Sequence, residues 1–353
     1  AVSTAMIFGL VSLMFLDTSI NMAMQPFKMM VGDMVNEKQK GLAYSIQSFL
    51  CNAGSLVGFL FPFIFTWIGI SNIAPQGVVP DSVIYSFYIG AAILILCVIY
   101  TTVKVKEMPP AEYAEYHGIT EEEKKEKINM VKLLVKAPKA FWTVGLVQFF
   151  CWFAFMFMWT YTNGSVAANV FDAPTVETVV NGASKIVLDT KSIQYQNAAD
   201  WVGVLFAVQA IGSVLWAVCI PMFKNRKLIY SLSLVLGGIG FISTYFVHNQ
   251  YVLFISFLLI GCAWAAMLAL PFTILTNALS GGHMGTYLGL FSGTICIPQI
   301  VAATLGGSIL ALFTPKGMLP PEINMLVMAG VMLIIGAVCV YLIKETKGEQ
   351  AKA

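Results

Sequence analysis

Residues 4–34 read TAMIFGLVSLMFLDTSINMAMQPFKMMVGDM, and this stretch decides the fold class. A membrane-spanning helix needs about 20 mostly apolar residues. The residues before Pro26 supply them, with one acidic residue, Asp17, near the middle. A proline is compatible with such a helix, because neighbouring helices can bond the backbone groups that it frees. The stretch therefore predicts a first membrane span.

Eight further apolar runs follow the first one. They cover residues 42–70, 83–104, 140–163, 199–223, 227–247, 250–279, 285–313 and 321–344. Of the 353 residues, 58% are hydrophobic and 11% are charged, whereas a soluble domain has about 25% charged residues. The sequence thus predicts an all-α membrane protein with nine spans and almost no water-soluble domain. The net charge of only +2 argues against nucleic acid as a partner.

Basic residues are distributed unevenly between the two sets of loops. Sixteen lie in or beside the first, third and fifth connections and the C-terminus, and three lie in the alternate loops. Because cytoplasmic loops carry the excess of Lys and Arg, we predict a cytoplasmic C-terminus and an external residue 1. Residues 105–138 then form a cytoplasmic linker, helical in part over 121–136, and residues 164–198 form a long external loop.

A Pro-Phe pair recurs near the cytoplasmic ends of two spans. Pro26-Phe27 lies in the first span and Pro271-Phe272 in the seventh, and each pair is followed by a short loop and a further span. Internal repeats of this kind are typical of transporters. If spans one to three repeat as spans seven to nine, the chain holds nine helices of a twelve-helix bundle and lacks the first three. Residues 1–104 are then the remainder of the N-terminal half (helices four to six), and residues 105–138 are the linker. Residues 139–345 form the C-terminal six-helix half, and residues 346–353 form a cytoplasmic tail.

Asp17 is the acidic residue that lies deep inside a span. An ionisable group at that depth indicates a functional site, and desolvation favours its protonated form. Asn21 and Lys28 lie within about 40° of Asp17 around the helix, at 100° per residue, so that the three side chains share a face. Asp17 is therefore a candidate for proton coupling and sugar binding. A structural hydrogen bond of Asp17 and an interfacial position of Lys28 are the alternatives.

Polar and aromatic side chains in other spans are further candidates for substrate contact. Gln148, Trp152, Phe155 and Trp159 share one face of the fourth span, and amides beside aromatic rings suit a sugar, since the amides bond hydroxyls and the rings stack on C–H faces. The remaining candidates are Gln47, with Ser48 beside it, in the second span, Gln209 in the fifth and Gln299 in the eighth. The alternative is that these amides bond across helices and that the aromatic rings pack or face lipid.

The sequence offers no metal or cofactor site. The seven cysteines all lie in apolar runs without a C-x-x-C pair, which is typical of small packing residues. The histidines have no partner at ligand spacing, and no nucleotide-phosphate motif is present. We therefore expect no cofactor and no enzymatic activity.

The first span also resembles a known family. Its pattern Leu16-Asp17-x-x-x-Asn21-x-x-x-x-Pro26-x-Lys28-x-x-x-x-Asp33 is similar to the fourth helix of the plant sucrose–proton symporters, which have Arg at the position of Lys28. Looser similarities to their fifth, seventh and eleventh helices lie in Ser48-Phe49, Gly54 and Gly58, in Trp152 and Tyr161-Thr162, and in Pro298-Gln299. The chain thus resembles the sucrose and maltose transporters of the glycoside–pentoside–hexuronide branch of the major facilitator superfamily.

This resemblance implies a major-facilitator-type bundle with nine of its twelve helices present. It implies proton-coupled import of a disaccharide such as maltose or sucrose by alternating access, with Asp17 binding proton and sugar. We expect a multi-pass protein of a bacterial inner membrane, acting as a monomer on sugar and proton. A Na⁺-coupled glycoside symporter, in which Asp17 binds the cation, and a non-transporting membrane sugar sensor stay open as alternatives.

Overall fold

The structure is a computed structural model that describes residues 4–36, 39–70, 79, 81–106, 109, 111–112, 115, 130–180, 183–279, 284–315 and 317–343. Three long helices precede the linker: α1 (Thr4–Met34), α2 (Lys40–Trp67) and α3 (Asp81–Lys104). The elements that follow are α4 (Met130–Lys136), α5 (Lys139–Asn169), β1 (Thr175–Val180), β2 (Ala183–Leu188), α6 (Ile193–Cys219), α7 (Arg226–Ser243), α8 (Leu253–Ala278), α9 (Met284–Phe291), α10 (Gly293–Phe313) and α11 (Ile323–Cys339). Short 3₁₀ turns, Ile220–Met222 and Val340–Leu342, continue α6 and α11.

The helices agree closely with the predicted spans. In the described part of the chain, eight helical segments have the length and apolar composition to cross a membrane. The remaining predicted span coincides with α2, which has 28 residues and is about 42 Å long at 1.5 Å per residue. This exceeds the hydrocarbon thickness of about 30 Å. The prediction of an all-α membrane protein is thereby confirmed.

Some helix ends differ from the predicted ones. Helix α5 continues to Asn169. In its last turns Ser165 Oγ donates to the Tyr161 carbonyl at 2.7 Å, and Asn169 Nδ2 donates to the Ser165 carbonyl at 2.8 Å. In the linker, α4 covers only the last part of the predicted helix over 121–136. Residues 121–129 lie outside the described part.

The eighth predicted span is interrupted at Ser292, between α9 and α10. The hydroxyl of Thr294 donates to the Phe291 carbonyl at 2.6 Å and so competes with the backbone donors that would continue the helix. Ser-Gly pairs such as Ser292-Gly293 are frequent sites of helix kinks. The span is therefore two helical pieces rather than one.

A β-hairpin lies in the segment that was predicted to be an external loop. Strands β1 and β2 pair antiparallel, with Thr175 opposite Leu188 and Val180 opposite Ala183. The strands are rich in β-branched residues, and Asn181-Gly182 separates them in the sequence. We call the end of the bundle that carries this hairpin the hairpin end, and the opposite end, where α4 lies, the linker end.

The packed core lies among the helices that follow the linker. Helices α5 to α8, α10 and α11 pack extensively on one another, and α2 joins them by packing on α6 and α8. Helix α1 packs mainly on α2 and α9, and α3 on α2. Most of the apolar side chains of α1 and α3 are consequently exposed on the surface of the described structure, as a lipid-facing surface would be.

Two glycines bring α6 and α8 into backbone contact. A Cβ at Gly212 would come within 2.5 Å of the Leu258 carbonyl oxygen, and a Cβ at Gly261 would lie 2.7 Å from the Ser213 amide nitrogen. Ser213 Oγ donates to the Gly261 carbonyl at 2.9 Å across the same crossing. Small residues that allow such close approach are the usual basis of helix association in membranes.

Candidate functional site

Helix α8 exposes a backbone carbonyl because Pro271 lies inside it. In an α-helix the Met267 carbonyl would accept from the backbone N–H of residue 271, but proline has no such hydrogen. Gln148 of α5 supplies the missing donor, and its Nε2 donates to the Met267 carbonyl at 3.0 Å. This bond fixes the buried Gln148 side chain between α5 and α8.

The aromatic face predicted on α5 meets a tryptophan of α8. Trp264 packs edge-on against Trp152 and Trp159, with ring centroids 5.7 Å from each, and lies 4.9 Å from Phe155. Phe155 also packs on Phe241 of α7 at 5.8 Å. We call Trp152, Phe155, Trp159 and Trp264 the aromatic cluster.

Trp264 is a residue that the sequence reasoning missed. Its ring contacts the predicted face of α5, yet the two helices are far apart in the sequence. A possible signal was its position two turns before Pro271, on the span that carries the repeated Pro-Phe pair.

Two buried polar atoms at this cluster have no hydrogen-bond partner among the described residues. They are Oε1 of Gln148, an acceptor, and Nε1 of Trp152, a donor. The two residues are four positions apart on α5, so they lie on one face about 6 Å apart along its axis. Leaving a buried polar group unsatisfied costs about 1–3 kcal/mol. An adjacent donor and acceptor beside aromatic rings can bind a group that both donates and accepts, such as a hydroxyl.

Helix α2 approaches α8 through its own polar residues. The Ser48 hydroxyl donates to the Ala265 carbonyl at 3.3 Å, and Asn52 Nδ2 donates to the Ser48 carbonyl at 2.7 Å. Asn52 is fully buried, and its Oδ1 has no described partner. Gln47, one residue before Ser48, is half-buried. Helix α2, one of the three helices before the linker, is thus bonded to α8, which carries Trp264.

The other two predicted amides, Gln209 and Gln299, lie on other helices that follow the linker. Gln209 is buried on α6 at its crossing with α8, where its backbone carbonyl meets Gly261. Gln299 is half-buried on α10, directly after Pro298. No described contact joins either of them to the aromatic cluster.

The predicted face of α1 stands apart from this cluster. Asp17 and Asn21 are both exposed, and Asn21 Nδ2 donates to the backbone carbonyl of Asp17 at 2.9 Å. The side chain of Lys28 lies outside the described part of the chain. Since α1 packs mainly on α2 and α9, the structure does not bring Asp17 against Gln148 or Trp152.

The described residues form no competing site near the aromatic cluster. No group of three or more His, Cys, Asp or Glu side chains is placed to hold a metal ion. A recess at the hairpin end lies between α5, α7, α8 and α11 and is lined mainly by apolar groups, among them Val166, Leu253, Phe257 and Leu326. It lacks the paired donor and acceptor found at Gln148 and Trp152.

Comparison with known proteins assigns the family. The family model of the Major Facilitator Superfamily matches residues 2–188 and 166–353, which together span nearly the whole chain. Among solved structures, the chain is similar to the E. coli fucose:proton symporter FucP, with a TM-score of 0.58 and 13% sequence identity, over 90% of this chain and 72% of that one. No curated protein matches. The helical bundle, its membrane-spanning helices and the family match agree: the chain belongs to the major facilitator superfamily, whose members are membrane transporters and not enzymes.

Proposed function

We propose that this protein is a proton-coupled symporter that imports a disaccharide such as maltose or sucrose by alternating access. One observation carries the sugar part of this proposal. The acceptor Oε1 of Gln148 and the donor Nε1 of Trp152 are buried, lack described partners and lie beside the aromatic cluster. The resemblance of the first span to sucrose–proton symporters supports the disaccharide class.

The chemistry of a sugar ring fits this surface. Each hydroxyl is both a donor and an acceptor, so one hydroxyl, or a neighbouring pair, can satisfy Gln148 and Trp152 together. The C–H faces of the ring can then stack on Trp152 or Trp264. Gln47, Gln209 and Gln299 come from α2, α6 and α10, and they are our candidates for contacts with the second ring of a disaccharide.

Asp17 is our candidate for the coupled proton. A carboxylate inside a span is costly, so a proton that neutralises Asp17 favours a closed and dehydrated pathway. Asn21 and Lys28 share its helix face and are the proposed neighbours of the proton and the sugar. The similarity of the fold to a fucose:proton symporter supports proton coupling.

Alternating access requires the helices before the linker to move relative to the helices after it. The bond between Ser48 and the Ala265 carbonyl joins α2 to α8, and such a bond is a natural point for the contact to open and re-form. One proton that crosses a potential of 100 mV releases about 2.3 kcal/mol. This is enough for about 50-fold accumulation of sugar.

The test is sugar-induced proton uptake by the protein in lipid vesicles. We expect maltose or sucrose to alkalinise the medium, and a pH gradient, but not a Na⁺ gradient, to drive accumulation. Asp17→Asn should abolish accumulation above the external concentration while sugar exchange persists, because the proton is then no longer carried. Full accumulation by Asp17→Asn would refute the coupling role, and accumulation driven by Na⁺ alone would favour the Na⁺-coupled alternative.

A further inference from the structure

A second acidic residue, Glu322, lies at the hairpin end between α11 and α5. It is the N-cap residue of α11, but its side chain makes no capping hydrogen bond to that helix. It extends instead to α5, where a Cβ at Gly164 would overlap the Glu322 carboxylate. The carboxyl group therefore fills the space that the absent side chain of residue 164 leaves open.

The surroundings of this carboxyl join three helices. Tyr161, one turn before Gly164, interacts electrostatically with Glu322. The Tyr161 hydroxyl in turn lies against Gly306 of α10, where a Cβ would come within 2.6 Å of it. Glu322 thus lies where α5, α10 and α11 meet, and its carboxyl contacts α5 at Gly164.

The helices around Glu322 supply no compensating positive charge. Helices α10 and α11 contain no Asp, Glu, Lys, Arg or His, and the charged residues of α5 and α7, which are Lys139, Arg226 and Lys227, lie at the linker end. Tyr161 is the titratable group that faces the carboxyl from α5, and Lys316 of the preceding loop lies outside the described residues. Burial accordingly raises the pKa of the Glu322 carboxyl from 4.5 to about 7, although the N-terminus of a helix favours an anion.

We propose that Glu322 is a second proton-binding residue and that its proton controls closure of the hairpin end. The neutral carboxyl fits against Gly164 in its half-buried position. The carboxylate requires more water than this position admits, because partial burial of a charge without a cation beside it is disfavoured, so α5 and α11 separate at this end. This inference rests on the proposed function, in which the proton is the coupled ion. Glu322 lies after the linker in the chain, whereas Asp17 lies before the linker.

The proton site can be tested without transport. Infrared difference spectra of the protein in lipid, recorded along a pH titration, should show a protonated-carboxyl band that disappears with a midpoint near 7. Glu322→Gln should remove this band, whereas Glu177→Gln, at an exposed glutamate of the hairpin, should leave it unchanged. A band near neutral pH that persists in Glu322→Gln, or no such band in the unchanged protein, overturns the assignment.

The closure is tested by hydrogen exchange of the amides of residues 161–169 and 323–328. The deprotonated fraction of a group with a pKa of 7 rises about tenfold between pH 6 and pH 8. We expect a similar rise in exchange, after correction for the intrinsic pH dependence, and a loss of this rise in Glu322→Gln. Gly164→Ala, which leaves no room for the carboxyl, should exchange fast at both pH values, and Gly203→Ala, at an open site on α6, should behave as the unchanged protein.

Equal pH dependence in Glu322→Gln and the unchanged protein overturns the closure role. These outcomes are separable from those for the proposed function. If the protein transports no sugar but the Glu322 band titrates, the proposed function fails and the proton site stands. If the protein shows proton-coupled flux but no Glu322 band, the proton site fails and the proposed function stands.

Discussion

At residue 148 an amide side chain lies between two helices, and its two ends differ in their bonding. Nε2 is committed to the carbonyl that Pro271 leaves without a backbone donor, while Oε1 has no described partner. The two roles that we considered for such amides, a bond between helices and a contact to substrate, are therefore compatible in one residue. A substitution at position 148 changes both, so it cannot separate them.

Trp152→Phe separates the roles better, because it keeps an aromatic ring and removes only the N–H donor. A neutral hydrogen bond contributes about 0.5–1.5 kcal/mol, so we expect sugar affinity to fall about 2- to 13-fold with little change in stability. Equilibrium binding of sugar to the purified protein measures this. Trp159→Phe is the matched control, since Trp159 belongs to the same cluster and its Nε1 is not among the buried unsatisfied atoms. Equal losses in both variants would contradict the specific role of Trp152 Nε1.

Because of Glu322 we expect the stability of the protein to fall as pH rises, whereas a salt-bridged acid makes stability rise with pH. Its pKa is about 7 in the folded protein against the ordinary 4.5, so between these values the folded state binds more protons than the unfolded state. Stability should therefore fall as pH rises from about 4.5 to 7, by at most about 3 kcal/mol. Thermal unfolding in detergent across this range should show the decline, and Glu322→Gln should flatten it. An identical decline in Glu322→Gln would assign it to other groups.

Among single residues, the sequence predicted those on one helix better than those that meet across helices. The face with Gln148, Trp152 and Trp159 follows from the helical repeat alone, since residues three or four apart share a face. Trp264 and Glu322 depend on which helices become neighbours, and that is determined by the packing of α5 against α8 and α11. Nothing in the local sequence of Glu322 reveals that Gly164 provides its space.

Among the elements, the α6–α8 crossing depends on two glycines. Gly212→Ala would place a Cβ within 2.5 Å of a backbone carbonyl, which cannot move as a side-chain end can. Overpacking of this kind costs about 1–3 kcal/mol, and we expect the apparent unfolding temperature to fall. The control is Gly203→Ala on the same helix, where the added methyl meets nothing within 4 Å and helix propensity improves by about 1 kcal/mol. If both variants were equally stable, the two helices would not be in close contact.

Element by element, the spans were predictable and the hairpin was missed. A run of 20 or more apolar residues has few alternatives to a membrane helix, so all nine predicted spans correspond to helices. The hairpin has a local signal in the sequence: Asn-Gly between two β-branched runs is a strong indication of a tight hairpin turn. The break at Ser292 was harder to foresee, since serine and threonine are tolerated in membrane helices.

For the molecule as a whole, its direction in the membrane is a prediction of the sequence. Sixteen basic residues against three predict that the C-terminus and the linker end lie in the cytoplasm. A reporter that is active only in the cytoplasm should therefore work when fused after residue 353 and fail when inserted between residues 181 and 182, which separate β1 from β2 in the sequence. The reverse pattern would show that the protein has the opposite orientation in the membrane, and Glu322 would then respond to cytoplasmic pH.

The sequence also could not predict how unevenly the helices are packed. Hydrophobicity treats all spans alike, yet α5 and α8 are largely buried and α1 is exposed along its apolar length. For α8, small residues such as Gly212 and Gly261 allow close packing against α6. Helix α1 shows no comparable contact among the described residues.

The bond between Gln148 and the Met267 carbonyl also bears on how the chain is assembled during synthesis. Its two ends lie 119 residues apart, so at about 5–20 residues per second the ribosome needs roughly 6–24 s to make the second after the first. During that interval the Gln148 amide has no carbonyl of α8 to bond. When α8 then enters the bilayer, the donor for its Met267 carbonyl is already present on α5. The Gln148 side chain therefore lacks its partner on α8 until that helix is inserted, and the interval between them is when a membrane chaperone or a protease can most readily recognise the growing chain.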